Sequence, residues 1–167
     1  MKAIFERRSI RKYTSESISD KDLEELLKAA MAAPSAGNQQ SWEFVVIKDR
    51  VILKEMVGIH PNGYQMLEDA PLAIMVCGNL DAEIHKGYWV QDCSAATENI
   101  LLAAQSKGLG TVWLGVYPME NRVKALKKMF GLPEKIIPLS IVSVGHPAEK
   151  KKPSNRFDQS RIHVNIW

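Results

Sequence analysis

Apolar residues along the chain follow two spacings, which predict a mixture of amphipathic helices and buried strands. Apolar positions three and four residues apart are typical of a helix face, whereas short runs of β-branched and aromatic residues are typical of strands. Helices are predicted after Ser19 to about residue 33 and over 49–57, 86–107 and 118–130, and strands over 42–47, 70–77, 111–116 and 136–144. Because no linker or internal repeat interrupts this order, we expect one α+β domain over residues 1–167.

Single residues mark where several of these elements begin and end. Ser19 followed by Asp22 resembles a capping box at the start of the first long helix, and Pro34 disfavours helical geometry in the residue before it. Gly108 predicts the end of the long central helix. Pro138 has no amide hydrogen to donate, so it indicates that the last strand is an edge strand or starts irregularly.

Composition and charge are those of an ordinary globular protein, with 46% hydrophobic and 25% charged residues and a net charge of +3. The basic residues are spread out except for 7–12 and 150–152, so we expect a local anion site and no nucleic-acid binding. The N-terminus lacks the apolar segment of a signal peptide, and no window is long enough to span a bilayer. We therefore expect a cytoplasmic protein with no membrane association.

The motifs of several common enzyme classes are missing. Cys77 and Cys93 belong to no Cys-x-x-Cys pair, and they are predicted to be reduced core thiols, with no metal site. Gly108 and Gly110 follow a predicted helix, and position 113 is Trp, so a dinucleotide-binding fingerprint is excluded. No Gly-x-Ser-x-Gly elbow is present, which argues against serine nucleophile chemistry.

The loop from Ala33 to Trp42, one helix after the basic run Arg7–Arg11, is the strongest local signal for a ligand site. Arginine forks suit phosphate oxygens, and Ser9 adds a hydroxyl. Arg156 in the polar tail joins this anion site if the chain ends meet. We therefore expect a flat, phosphorylated ligand.

Four ordered motifs together resemble the nitroreductase family of FMN-dependent flavoproteins, from Phe5 to about Arg161. They are Arg-Arg-Ser-Ile-Arg-Lys-Tyr at 7–13, Ala-Pro-Ser-Ala-Gly-Asn-Gln-Gln-Ser-Trp at 33–42, Gly-Leu-Gly-Thr-Val-Trp-Leu-Gly at 108–115, and Gly-His-Pro-Ala-Glu at 145–149. The resemblance implies a nitroreductase-like α+β fold with a central, mainly antiparallel or mixed sheet flanked by helices. It also implies a homodimer with FMN at the subunit interface.

The resemblance further implies which residues hold FMN. Arg7, Arg8 and Ser9 would hold the phosphate and the ribityl chain, Arg156 would complete the phosphate site, and Arg11 would lie toward N1 and O2 with an electrostatic role. In two places this sequence departs from the family: Ser41 stands where proline is frequent, and Ser154 stands where many relatives have a second basic residue. Lys152 is the candidate replacement for that missing charge.

The remaining implied contacts surround the flavin ring. Pro34, Ser35 and Ala36 of the other subunit would cover the ring, with Asn38 supporting their loop. Backbone groups of Leu114 and Gly115 would lie near N5 and O4, and Gln65 or Asn62 would bond the pyrimidine edge. No catalytic acid or base is expected, because the flavin itself carries the chemistry.

The implied function is hydride transfer from NADH or NADPH to a nitroaromatic, quinone or related acceptor in alternating half-reactions. The alternative is an FMN-binding or electron-transfer protein without NAD(P)H turnover, since nothing in the sequence specifies a nicotinamide pocket. The C-terminal residues 162–167 alternate in polarity like a strand, which favours docking on a surface of this or another subunit, and a frayed tail is the alternative.

Overall fold

The structure, a computed structural model describing residues 1–167, contains five α-helices and four β-strands. The helices are α1 (Lys2–Glu6), α2 (Asp20–Met31), α3 (Arg50–Val57), α4 (Trp89–Ser106) and α5 (Glu120–Phe130), and the strands are β1 (Trp42–Ile47), β2 (Leu72–Asn79), β3 (Gly110–Gly115) and β4 (Ile136–Gly145). Short 3₁₀ turns lie at Ala36–Asn38, Gln65–Glu68 and Gln159–Arg161. The α+β class predicted from the spacing of apolar residues is confirmed.

The four strands form one antiparallel sheet in the order β1-β2-β4-β3. β4 therefore lies inside the sheet, and the alternative of an edge strand at Pro138 is wrong. The other alternative, an irregular start, is what the structure contains: Val76 pairs with Ser140, but Cys77 pairs with Pro138, so the register shifts at this point. Because proline donates no hydrogen bond to the ladder, an interior strand accommodates it at such an irregularity.

The sheet is covered on both faces, which explains why β2 is buried almost along its whole length. α2 and α4 pack on one face through residues such as Leu26 and Ile100. The other face holds Leu53 of α3, Leu126 of α5 and the segment around Tyr64. Apolar burial on two faces accounts for the unbroken apolar run in β2.

The two cysteines are free and buried, as predicted. Cys93 lies on α4 with its Sγ 3.4 Å from the carbonyl oxygen of Cys77 on β2. Burial raises the pKa of the Cys77 thiol to about 12 and also raises the pKa of Cys93. Both therefore remain neutral thiols that pack as small apolar groups.

Helix ends coincide with local capping signals. The Ser19 side chain accepts a hydrogen bond from the Asp22 amide at 3.0 Å, and Asp49 caps α3 by accepting from the Val51 amide at 2.7 Å. Gly108 ends α4 with φ of +75°, a left-handed conformation that favours glycine. These three boundaries were predicted within one or two residues.

The N-terminal segment lies along the open side of β3 and positions the basic run. The Ile10 amide donates to the Thr111 carbonyl at 2.9 Å, and Ser9 forms a parallel bridge with Thr111. A Cβ on Gly110 would lie 2.7 Å from Cγ2 of Ile10, so this close approach requires glycine. The short helix α1 precedes the basic run and was not predicted.

The C-terminal residues 162–167 form no strand in this chain, and they are exposed. Ile166 is 82% exposed and Trp167 is 98% exposed, so neither side chain packs on the surface of its own chain. The alternative that they dock on another subunit stays a prediction. No helix combines the length and the apolarity needed to cross a bilayer.

Candidate functional site

A cavity of about 240 Å³ collects basic side chains from both ends of the chain. We call it the cationic cavity, and its lining residues are Arg7, Arg8, Ser9, Arg11, Lys151 and Arg156. Five of these six carry a positive charge, and none is a carboxylate. The structure thus brings Arg156 of the tail to the N-terminal basic run, which the sequence motifs could only suggest.

Contacts around the cationic cavity hold the tail against the N-terminal segment. The Arg11 amide donates to Oε1 of Glu149 at 2.6 Å, and this bond, together with nearby Lys151, holds the pKa of Glu149 below its usual value. Lys151 donates to the Ser9 carbonyl at 2.7 Å. Lys151, and not the candidate Lys152, is therefore the tail lysine that lines the cavity.

The arginines of the cationic cavity differ in how far their donors are satisfied. Nε of Arg7 lies 3.4 Å from Oε1 of Glu98 on α4. Nε of Arg8 is buried and has no hydrogen-bond partner. Because a buried donor without a partner costs free energy, this Nε–H is suited to an acceptor supplied by a ligand, such as a phosphate oxygen.

The outer edge of β3 continues from the cationic cavity and offers backbone groups. Val116 donates to β4 through its amide, whereas the Thr111 carbonyl accepts from Ile10 on the opposite side. Since bonding direction alternates along an antiparallel strand, Thr111, Trp113 and Gly115 direct their N–H and C=O groups away from β4. Thr111 and Gly115 are separated by about 13 Å of strand. Nothing lies within 4 Å of a Cβ built on Gly115, so the end of β3 is open on the side to which that Cβ would point.

Two side chains that the sequence did not single out bond the Gly115 carbonyl. Tyr64 donates to it from Oη at 2.9 Å, and Arg122 on α5 donates from Nη1 at 2.8 Å. We call this pair the carbonyl clamp. The predicted Gln65 and Asn62 are both exposed, and Gln65 is next in sequence to Tyr64. Leu114 is buried and 5% exposed.

The loop after α2 is anchored by Asp92, a buried residue of α4 that sequence reasoning missed. Its carboxylate accepts from the Ala36 amide at 2.9 Å, from Nε2 of Gln39 at 2.6 Å and from Oγ of Ser41 at 3.2 Å. Asn38, which was expected to support the loop, accepts from Nε2 of Gln40 within it at 3.0 Å. The anchor of the loop is therefore Asp92.

The anchored loop presents an unusual backbone at the surface. Gly37, Asn38 and Gln40 all have positive φ, and a Cβ on Gly37 would lie 2.3 Å from Nε2 of His85. The Ser35 hydroxyl accepts from the Gln40 amide at 3.0 Å, which closes the turn. Pro34 is exposed, while Ser35 and Ala36 are half-buried.

The loop and the cationic cavity are not joined within one chain. No residue of 34–40 lines the cavity, and the loop's polar contacts run to Asp92 and to the amides of Ile84 and His85. Glu98, which contacts Arg7, lies about 9 Å farther along α4 than Asp92. The expected site residues therefore form one region along β3 and a separate loop region.

Comparisons with known proteins cover nearly the whole chain. The model of the family described as "Nitroreductase family" matches residues 4–60 and 59–146. A protein of Archaeoglobus fulgidus, provisionally named NADH dehydrogenase/NAD(P)H nitroreductase, is 52% identical over 173 residues, which cover 100% of this chain and 98% of that protein.

Solved structures agree with this match. The FMN-dependent nitroreductase of Clostridium difficile R20291 has a TM-score of 0.92 and 31% identity, with 100% of both chains covered. A provisionally named nitroreductase of Desulfovibrio desulfuricans, solved in complex with FMN, has a TM-score of 0.86 and 30% identity, covering 99% of this chain and 96% of that one.

Proposed function

We propose that this chain, which belongs to the nitroreductase family, is an FMN-dependent oxidoreductase that uses NAD(P)H as its electron donor. Its relatives include an NAD(P)H nitroreductase and an FMN reductase, and a structure of the same fold was solved in complex with FMN. The finer part of the proposal is a ping-pong reaction, in which a nitroaromatic, quinone or related small molecule is the electron acceptor.

The observation that carries the proposal is the cationic cavity. Its five positive side chains suit a phosphate dianion, and the buried Nε–H of Arg8 lacks an acceptor that a phosphate oxygen would supply. Arg7, Arg8, Ser9 and Arg156 are therefore the residues to which we assign the FMN phosphate and the adjoining ribityl chain. The charges and the free donor of the residues that line the cationic cavity therefore fit FMN.

The flavin ring is assigned to the outer edge of β3. This edge runs from Thr111, beside Ser9, over about 13 Å to the open end at Gly115. The outward N–H of Gly115 suits a ring acceptor, and Leu114 lies beside it. Bound FMN supplies the hydride acceptor, so the protein contributes binding, orientation and charge. We assign the charge near N1 and O2 to Arg11, and the pyrimidine edge to Gln65 or Asn62.

The proposed assembly is a homodimer with FMN at the subunit interface. Pro34, Ser35 and Ala36 lie on a loop that does not line its own chain's cationic cavity, so their expected position over the ring requires a second copy. Residues 162–167 expose apolar side chains, which favours their docking on that copy. Light scattering of the purified protein tests this assembly, and a monomer that retains FMN would contradict it.

The electron donor is tested on the purified protein. We expect the FMN-loaded enzyme to be yellow, to lose its visible flavin absorbance when NADH or NADPH is added without oxygen, and to regain it when a nitroaromatic or quinone is added. Initial rates measured over both substrates should give parallel double-reciprocal lines, as for ping-pong kinetics. A colourless protein that takes up no FMN would overturn the proposal.

One outcome favours the second candidate function. FMN that binds tightly but is reduced by neither nicotinamide would indicate an FMN-binding or electron-transfer protein whose electrons come from another protein. The presence of NAD(P)H enzymes among the relatives favours the first function.

A further inference from the structure

The carbonyl clamp joins three elements at the open end of β3. Tyr64 comes from the segment between α3 and β2, Arg122 comes from α5, and both donate to the carbonyl of Gly115. The second amino group of Arg122, Nη2, lies 3.1 Å from Nε2 of His60. A guanidinium only donates, so His60 accepts through Nε2 and fixes the plane of the arginine.

Gly115 lies at the end of its strand, where the sheet holds it on one side only, through its pairing with Ser140 and the bond from the Val116 amide to the Leu139 carbonyl. It has no side chain, it is the last residue of its strand, and nothing lies within 4 Å of the position that a Cβ would take. Glycine has the greatest backbone freedom of any residue, so its peptide groups hold one orientation only when other groups hold them. Two donors on one carbonyl, at 2.8 and 2.9 Å, supply that constraint.

The two donors of the clamp differ in charge. Tyr64 is 1% exposed, and burial raises the pKa of its phenol to about 12, so it donates as a neutral hydroxyl. Arg122 is a permanent cation, its guanidinium carbon lies 6.0 Å from the centre of the Tyr64 ring, and no carboxylate pairs with it. A positive charge therefore stands, without an anionic partner, at the open end of β3.

We propose that Arg122 and Tyr64 are positioning residues of the flavin site. They hold the Gly115 carbonyl so that the N–H of the same residue keeps its orientation toward the flavin ring, and Arg122 alone adds a positive charge that favours the reduced, anionic form of FMN. This inference rests on the proposed function. Arg122 would thus act through both geometry and charge, whereas Tyr64 would act through geometry only.

The test compares four variants of the full-length protein: Arg122→Met, Arg122→Lys, Tyr64→Phe and the control Lys124→Met. Lys124 is an exposed residue of the same helix whose ammonium pairs only with Glu120, so it matches the loss of one charge outside the clamp. The measurements are the FMN dissociation constant of the apoprotein, from quenching of FMN fluorescence, and the midpoint potential of bound FMN. Urea unfolding of each apoprotein establishes that the variant is folded.

Loss of Arg122 and loss of Tyr64 should give different results. Arg122→Met is expected to weaken FMN binding about tenfold, the size of one hydrogen bond to a charged group. It should also lower the midpoint potential, by about 30 mV if the reduced form loses a further tenfold in affinity. Tyr64→Phe should weaken FMN binding about fivefold and leave the potential unchanged. Arg122→Lys should keep most of the potential but bind FMN less tightly, and Lys124→Met should behave as wild type.

The outcomes distinguish this inference from the proposed function. A wild-type protein that does not bind FMN overturns the proposed function itself. Wild-type FMN binding with unchanged affinity and potential in Arg122→Met overturns only the role of the clamp, as does an equal potential shift in Tyr64→Phe. If Arg122→Met does not fold, Arg122→Lys decides: a retained potential with weakened FMN binding supports the inference, and wild-type binding overturns it.

Discussion

Asp92 gives the sharpest single test of how the loop after α2 is held. Its side chain is 3% exposed and accepts three hydrogen bonds, from Ala36, Gln39 and Ser41. Asp92→Ala removes the acceptor and leaves these donors without partners. The perturbation is local in space, but the bonded residues lie 51 to 56 positions apart in sequence, so it tests tertiary rather than local stabilisation.

The magnitude follows from the burial of each donor. Ser41 is fully buried and Gln39 is 8% exposed, so neither reaches water easily, whereas the half-buried Ala36 amide counts least. A buried donor that loses its partner costs about 1–3 kcal/mol. Two such donors, allowing for some rearrangement, predict a loss of about 3–4 kcal/mol in the free energy of unfolding for Asp92→Ala.

Asp92→Asn is a finer perturbation of the same network. It keeps one carbonyl oxygen but places an NH₂ group where the second carboxylate oxygen accepted from Gln39 and Ser41. The Ser41 hydroxyl can turn to accept a hydrogen bond from this NH₂ group. The Gln39 amide cannot turn without losing the hydrogen bonds that its oxygen accepts from the Ile84 and His85 amides, at 2.9 and 2.8 Å. About half the effect of Asp92→Ala is therefore expected, roughly 1.5–2 kcal/mol.

The assay is urea unfolding of the apoprotein, with hydrogen exchange as a local readout. Asp81→Asn is the matched control, because Asp81 is exposed and its side chain makes no hydrogen bond. The amide of Ala36 should exchange faster in Asp92→Ala, which removes its acceptor, less so in Asp92→Asn, which keeps one carbonyl oxygen, and at the wild-type rate in the control. An Asp92→Ala protein with a wild-type unfolding midpoint and wild-type exchange at Ala36 would refute the reasoning.

Four further predictions concern the cofactor site, the thiols, acid stability and the tail. Arg8→Met should weaken binding of FMN at least tenfold but leave riboflavin binding unchanged, because only FMN has the phosphate; equal losses for both would exclude the phosphate role. Cys77 and Cys93 should not react with a thiol reagent at neutral pH until urea unfolds the protein, since burial raises both pKa values. The pKa of Glu149 is lower in the folded protein than its ordinary value of 4.5, so the ionised carboxylate stabilises the fold above pH 4.5, and this stabilisation is lost as the pH falls below that value. Glu149→Gln should therefore show a smaller acid-induced loss of unfolding free energy than wild type. Deletion of residues 162–167 should weaken the dimer in dilution experiments followed by light scattering, and an unchanged dissociation constant would count against docking of the tail.

The fold was predictable where the controlling interactions are local. The Ser19 and Asp49 caps act within three residues, and Gly108 ends its helix through its own backbone conformation. α1 was missed because it has only five residues and no side-chain cap. The position of β4 in the sheet was left open by Pro138, because strand order depends on pairing with distant strands rather than on the strand's own residues.

The candidate site also combines features that the sequence shows with features that depend on distant contacts. The basic run and Arg156 are visible as residue types, and the tertiary structure brings them into one cavity. Lys151 rather than Lys152 lines that cavity, because the path of the tail directs the first of these neighbouring side chains toward it. Asp92 and the carbonyl clamp gave no sequence signal, since their partners lie 51 to 56 residues away for Asp92 and 51 residues away for Tyr64.

The amino-acid sequence by itself determined the helices, the strands, the ordered family motifs and the residue types available for an anionic ligand, because turns, caps and apolar spacing act over a few residues. Only the tertiary structure decided which of those residues meet. The sheet pairing sets β3 beside the N-terminal segment, and α4 carries Asp92 to the loop. Such contacts depend on the summed packing of the whole core, which no short stretch of sequence encodes.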